Sequence, residues 1–224
     1  MPFVDSSYKT IAIAARHSSL SRAQVKEIHA ELIQHHPFIE FNPIWMATTG
    51  DLDLETPLRT LDKTDFFTKE IDALQLNGGC RISIHSAKDL AEPLASGLCL
   101  VALTAGKDPA DSLVLREKET LSGLKRGASI GVSSQRREQA LRALRLDWVF
   151  VDVRGSIDRR LWLLDTGAID GLVVAEAALI RLQYTHRNRM RLPGPSAPLQ
   201  GRLAVLARED DEEMKQLFAC IDAR

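Results

Sequence analysis

Arg81-Ile-Ser-Ile-His-Ser-Ala-Lys-Asp89 alternates apolar and polar residues through Ile82 and Ile84, then breaks into a polar cluster ending in a cation beside a carboxylate. Alternation of this kind predicts a strand, and in open α/β sheets ligands sit beyond the carboxyl ends of strands. Two readings of Lys88-Asp89 are open at this point. The pair is an incidental loop ion pair, or one side chain holds an anion while the other moves or stabilises a proton.

Upstream, Thr10–Ala15 reads as a short buried strand, followed by the polar turn Arg16-His-Ser-Ser19. A helix is predicted over Leu20–Ile33, because Val25, Ile28 and Leu32 fall on one face of a 3.6-residue period. Ser18 or Ser19 can cap it. Ile39–Met46 is a second strand, interrupted by Pro43, and Phe66–Leu76 a second helix stopped by Gly78-Gly79. With Cys80–Ile84 as third strand the order is βαβαβ, which argues a parallel sheet with crossover helices.

Downstream, the strand Leu98–Leu103 runs into Gly106-Lys-Asp-Pro109, read as a crossing into a second lobe. There the pattern restarts: strand Ala128–Val132, turn Ser133-Ser-Gln-Arg-Arg137, helix Glu138–Leu146, strand Val149–Val153, a helix from Ile157 to Leu164, and strand Gly171–Ala175. Arg191–Pro198 reads as a proline-rich linker. A strand over Arg202–Ala207 and a helix over Asp211–Cys220 complete the chain. The expected fold is α/β and two-lobed, each lobe a mainly parallel sheet flanked by helices.

Composition is that of an ordinary globular protein, 45% hydrophobic and 26% charged over 224 residues. A formal net charge of -1 gives no global field for nucleic acid or an anionic membrane. No apolar run approaches the ~20 residues needed to span a bilayer. Met1–Ser7 lacks the pattern of a signal peptide. Cys80, Cys99 and Cys220 form no metal-ligand spacing and read as reduced thiols of a cytoplasmic protein. No metal site is expected.

The strand ends share one chemistry. Arg16, Lys88, Arg136-Arg137 and Arg154, with Arg160 inside the next helix, all lie at the same end of their predicted strands. Arg presents a rigid fork suited to carboxylate or phosphate, and helix N-termini add unpaired N–H groups. Any one of these is ordinarily solvated surface; together they describe a cleft for a polyanion. No G-x-x-x-x-G-K-[ST] or G-x-G-x-x-G follows a strand, so glycine-poor turns favour carboxylates over pyrophosphate. Ser133-Ser134 reads as a helix cap rather than a nucleophile, and His85 as a residue that orients the turn or is satisfied in the core.

In order and spacing, Ala15-Arg-His-Ser-Ser-Leu20 with Gln24, Thr49-Gly-Asp51, Phe67-Thr-Lys-Glu70, His85-Ser-Ala-Lys-Asp89, Asp108-Pro-Ala-Asp111, Gly131-Val-Ser-Ser-Gln-Arg-Arg137, Arg154-Gly155 and Val174-Ala-Glu-Ala-Ala-Leu179 resemble the porphobilinogen deaminases, also called hydroxymethylbilane synthases. The resemblance implies a fold like the type II periplasmic binding proteins. Residues 1–103 with 195–224 would form one lobe and 104–194 the other. It also implies a reaction: four porphobilinogens joined head to tail, with loss of ammonia, on the route to haem. Asp89 would be the catalytic group. Arg16, Ser18, Lys88, Ser133, Ser134, Arg136, Arg137, Arg154 and Arg160 would hold carboxylates, and Phe67 would lie in the loop over the site. A dipyrromethane cofactor is implied as primer, with porphobilinogen as small-molecule partner and the chain a monomer.

Departures from the family pattern carry expectations of their own. The family's third domain, with the cysteine that forms a thioether to the primer, is expected to be absent, and Cys220 to be a packing residue. Leu61-Asp-Lys-Thr-Asp-Phe66 lacks glycine, which would stiffen a lid. Ser156 stands where the family has asparagine, and Arg202 brings a charge into a tight backbone region. A second reading keeps the cleft as a noncatalytic tetrapyrrole or carboxylate binder. Asp89 favours the enzyme, because a binder gains little from a carboxylate among cations.

Overall fold

The computed structural model describes residues 9–58 and 64–224. The reading of Met1–Ser7 and the Leu61–Lys63 part of the glycine-free segment lie outside the described residues.

The chain opens with β1 (Lys9–Arg16) and α1 (Ser19–Leu32), whose N-cap Ser18 accepts a hydrogen bond from the Ser21 amide at 3.2 Å. β2 (Ile39–Met46) runs unbroken through Pro43. It can do so because β2 is an edge strand, where a missing N–H costs no ladder bond. A short α2 (Thr49–Leu52) follows. The helix expected over Phe66–Leu76 is split into a 3-10 turn, Asp65–Phe67, and α3 (Lys69–Leu76), because Thr68 leaves helical geometry at φ -123°. Next come β3 (Ile82–Ser86), a 3-10 turn at Ala87–Asp89, and β4 (Leu98–Leu103).

The chain then enters β5 (Asp111–Val114), β6 (Ser129–Val132) and α4 (Gln135–Arg142). The expected helix Glu138–Leu146 starts three residues too late and ends too late. Ser134 caps the Arg137 amide, which pulls Arg136 and Arg137 into the first helical turn. Then follow β7 (Val149–Asp152), α5 (Ile157–Asp165), β8 (Gly171–Ala175), α6 (Glu176–Arg181) and β9 (Arg189–Arg191). The linker expected from Arg191 therefore begins on the last residue of a strand. β10 (Leu203–Arg208) and α7 (Glu212–Phe218) return the chain to the first sheet.

Two five-stranded sheets result, ordered β2-β1-β3-β10-β4 and β7-β6-β8-β5-β9. Each is mixed. β1 is parallel to β2 and β3, and β6 to β7 and β8, whereas β10 and β5 pair antiparallel with both their neighbours. Helices cover the sheets, so central strands are apolar without alternation: all of Gly171-Leu-Val-Val-Ala175 is buried. One core gathers Ile13, Ile28, Ile84, Val205 and Phe218; others flank the second sheet through Leu113, Ile130, Leu141 and Val173, and through Leu161, Leu164 and Leu172. The carboxyl ends of β1, β3, β6 and β7 face one another across a cleft.

Candidate active site

The cleft is a cavity of about 380 Å³, and it collects every residue expected at the site: Arg16, Ser18, Phe67, Lys88, Asp89, Ser133, Ser134, Arg136, Arg137, Arg154 and Arg160 all line it. Its walls come from both sheets, so neither alone makes the site.

On the first-sheet wall, Arg16 forms an ion pair with Asp51, donating through Nε at 3.1 Å and through Nη2. Asp51 also accepts the Thr48 amide at 3.1 Å and hydroxyl at 2.9 Å. Burial raises its pKa, but the Arg16 and Thr48 donors outweigh burial and hold the carboxyl below its ordinary value. The Arg16 guanidinium lies 4.3 Å from the centre of the Phe67 ring. Lys88 and Asp89 close the strand end on their 3-10 turn but form no ion pair with each other. Lys88 Nζ instead donates to Gln200 Oε1 at 3.1 Å. Burial, then Arg137, pushes the Lys88 pKa down to about 8.

On the second-sheet wall the two adjacent arginines are held by the protein itself. Arg137 donates Nε and Nη2 to Asp111 Oδ1 at 2.9 and 2.7 Å, and Arg136 Nη2 lies 2.6 Å from Asp111 Oδ2. Ser133 Oγ accepts from Arg137 Nη1 at 3.1 Å and from Arg160 Nη1 at 3.5 Å. Arg160 donates Nε to the Gly155 carbonyl at 2.9 Å. Gly155 has φ +89°, a left-handed turn between β7 and α5 that glycine adopts freely. Ser156 then caps α5 by accepting the Arg159 amide at 3.2 Å. Burial and the charges of Arg137, Arg154 and Arg16 push the Arg160 pKa down to about 10.

Arg154 reaches across the cleft: its Nη2 donates to the Gly50 carbonyl at 3.2 Å and to that of Asp53, and its guanidinium stands 5.6 Å from the Phe66 ring centre. Its buried Nε has no partner among the described residues, and burial lowers its pKa. Of the two readings of His85, orienting the turn or being satisfied in the core, the second fails at one atom. His85 is 6% exposed and its Nε2 has no partner among the described residues; burial pushes its pKa down to about 4. Arg202, the charge in a tight region, is absorbed by backbone carbonyls of Thr104 at 2.5 Å, Leu103 at 3.1 Å and Ala223 at 2.8 Å.

Sequence reasoning assigned no role to Asp51, Asp111 or Gln200. The two aspartates were within reach, since each closes a quoted motif rich in turn residues, Thr49-Gly-Asp51 and Asp108-Pro-Ala-Asp111. Gln200 lies in the Leu199–Arg202 stretch read only for its Arg202 charge, and its partners come from distant parts of the chain.

Residues 11–216 match a family model described as porphobilinogen deaminase, dipyromethane cofactor binding domain. The chain belongs to the porphobilinogen deaminase family. It is 39% identical to a porphobilinogen deaminase of Xanthomonas oryzae pv. oryzae over 217 residues, 96% of this chain and 71% of that protein. It is 38% identical to a probable porphobilinogen deaminase of Chlamydia pneumoniae, over 95% of this chain and 90% of that one. Among solved structures, a periplasmic substrate-binding protein of an ABC transporter from Coxiella burnetii superposes with TM-score 0.57 at 15% identity, covering 94% of this chain and 91% of its own. The LysR family transcriptional regulator CbnR superposes at 0.58 and 13% identity, covering 95% and 68%. These two likenesses establish the two-lobed fold alone.

The cleft's chemistry suits the cofactor that the family model names. Lys88, Arg154 and Arg160 line the cavity without a carboxylate ion pair among the described residues, and one buried Arg154 N–H is unsatisfied. These are the donors a polycarboxylate needs. Cys80 is buried, Cys99 partly buried and Cys220 exposed, and none lines the cavity. No cluster of metal-binding side chains occurs among the described residues, and no described helix is long and apolar enough to cross a membrane.

Proposed function

We propose that this chain is a hydroxymethylbilane synthase, which joins porphobilinogen units head to tail and releases one ammonia per bond formed. The observation that carries the reading is Asp89. Asp51 and Asp89 both line the cavity, but Asp51 is occupied by Arg16, whereas Asp89, within electrostatic reach of Lys88 and Arg160, accepts no hydrogen bond among the described residues.

Porphobilinogen carries acetate and propionate side chains and an aminomethyl group. Arg154, Arg160 and Lys88 bind the carboxylates through charge-assisted hydrogen bonds, each contributing about 1.5–3 kcal/mol. With the acid groups fixed, the aminomethyl carbon is presented to Asp89. The aminomethyl group, protonated as the ammonium, leaves as ammonia with the C–N electron pair, and a methylene-pyrrole cation remains. Asp89 stabilises that cation through the pyrrole N–H, as a fixed carboxylate placed where the charge develops. Dipyrromethane, when bound, would supply the unsubstituted pyrrole carbon as nucleophile. Asp89 would be the base for the proton released there. Lys88, Arg154 and Arg160 would also hold the primer's acid groups. Because no cysteine lines the cavity, carboxylate contacts are the hold this chain's described residues offer. The enzyme is read as a cytoplasmic monomer.

The test is consumption of porphobilinogen by the purified chain, with and without preformed dipyrromethane. Turnover that disappears in Asp89→Asn, with the fold intact by circular dichroism, supports the assignment. Tight porphobilinogen binding without consumption under either condition favours the noncatalytic binder, the reading that the cysteine-free cavity leaves in play.

A further inference from the structure

Asp111 is 5% exposed and does not line the cavity. Its oxygens are filled from inside. Oδ1 accepts Arg137 Nε at 2.9 Å, Arg137 Nη2 at 2.7 Å and Gln200 Nε2 at 3.0 Å, and Oδ2 lies 2.6 Å from Arg136 Nη2. Burial raises its pKa, and Arg137, Arg136 and Gln200 together bring it below the ordinary value, so it remains a charged counter-ion.

Gln200 passes this arrangement across the cleft. Its amide nitrogen also donates to the carbonyls of Pro109 at 2.6 Å and Ala110 at 3.2 Å. Three acceptors on one side fix which end of the amide is nitrogen, and the oxygen must then face Lys88 Nζ at 3.1 Å. Gly201, with φ +90°, holds the backbone there, since a Cβ would stand 2.3 Å from the Lys107 carbonyl oxygen. Four segments thus meet on one carboxylate: the first residue of β5, the first turn of α4, the segment before β10 and, through Gln200, the turn after β3.

We propose that Asp111 is the positioning residue of the cleft, fixing Arg136 and Arg137 directly and the Lys88 ammonium through Gln200. The inference rests on reading the cleft as a carboxylate-binding site. Two properties follow that a structural ion pair lacks. The placement of a first-sheet cation depends on a second-sheet carboxylate. The charge state of Lys88 depends on it too: the groups facing Lys88 are Arg137 and Arg136, which lower its pKa, and Asp89 and Asp111, which raise it. Removing the Asp111 charge lowers the Lys88 pKa further, and removing the Gln200 oxygen acts in the same direction by taking away an acceptor from the charged form.

The experiment is competitive acetylation of the full chain with acetic anhydride across pH 6–10. Lys88 is read by peptide mass spectrometry against Lys125, whose side chain is 71% exposed. In Asp111→Asn the Lys88 midpoint moves to lower pH. A move of about one unit from about 8 raises its reactivity at pH 7 roughly five-fold. Asp111→Glu restores it. Gln200→Leu leaves both arginine pairs in place and keeps the test alive if Asp111→Asn does not fold; it too moves the midpoint down. A Lys88 midpoint that stays put in Gln200→Leu overturns the proposal. The readout needs no turnover, so a chain that fails to consume porphobilinogen leaves the outcome decisive, and an active chain with an unmoved midpoint sinks this inference alone.

Discussion

Replacing Arg160 with Met should stabilise the fold and weaken the enzyme. Arg160 lines the cavity with Gly155 and Ser133 as its acceptors and no carboxylate partner among the described residues. Burial and three neighbouring arginines push its pKa down from the ordinary arginine range to about 10, a penalty on the order of 3 kcal/mol on the charged form. Folded pKa lies below unfolded pKa, so the penalty is fully present at neutral pH and is relieved only as pH rises through 10. Arg160→Met removes it and gives up two hydrogen bonds of about 1 kcal/mol each. The net is a stabilisation of about 1 kcal/mol, or roughly 2–4 °C in Tm for a chain of this size. Binding moves the other way: losing one charge-assisted contact to a substrate carboxylate costs about 1.5–3 kcal/mol, a ten- to hundred-fold weaker Kd. Thermal melts at pH 7, with calorimetric titration of porphobilinogen in an Asp89→Asn background, measure both. A Tm that falls by several degrees with unchanged Kd would refute the reasoning, because Arg160 would then be a structural residue.

Three further outcomes are expected. His85 has a folded pKa of about 4 against 6.5 unfolded, so the unfolded chain binds a proton the native chain refuses, and stability falls as pH drops from about 6.5 to about 4, by on the order of 3 kcal/mol; urea titrations at pH 7 and 4.5 should show part of that loss missing in His85→Leu. Glu176, 1% exposed, accepts from Arg189 Nη2 at 2.7 Å and from Ser112 Oγ at 2.5 Å. Glu176→Ala takes the acceptor from the buried Ser112 hydroxyl and from the partly exposed Arg189 guanidinium and should cost about 1–3 kcal/mol, roughly 2–12 °C by calorimetry, whereas an unchanged Tm would mean that water replaces the carboxylate. A Cβ on Gly50 would stand 2.2 Å from the Phe67 ring and 2.9 Å from the Phe66 carbonyl. Gly50→Ala should therefore expel Phe67 from beneath Arg16 and raise KM several-fold; unaltered kinetics would separate that ring from the site.

Strands with an apolar period or run were legible to within a residue or two: Ile39–Met46, Leu98–Leu103 and Gly171–Ala175 match their predicted bounds. β5 was missed because its buried face begins Asp111-Ser112, polar residues whose partners lie elsewhere in sequence. β9 was missed because Arg189-Met-Arg191 is an edge strand whose charge hides its pairing with β5. The break at Thr68 is a single backbone departure and the early start of α4 a single serine cap, both below what periodicity resolves. In the site, the cations were legible because Arg and Lys at strand ends are conspicuous. Their counter-ions were not, since a lone Asp in a turn reads as a turn former.

That asymmetry changes what the cluster of cations means. Arg16, Arg136, Arg137 and Arg181 are matched by Asp51, Asp111 and Glu27, which explains how a chain of formal charge -1 carries so basic a cleft. A matched arginine is fixed in place and has already exchanged water for a carboxylate, so a ligand gains little from it beyond a remaining N–H. Lys88, Arg154 and Arg160 are desolvated without that exchange, and their pKa values are all lowered by burial. A polycarboxylate entering the cleft removes that penalty and is bound correspondingly tightly. Substituting the matched set should therefore be felt first in stability, and substituting the unmatched set first in KM. Asp89 stands with the unmatched set, occupied by no arginine among the described residues, and in the proposed reaction that leaves it free to face the charge a departing amine leaves on a pyrrole.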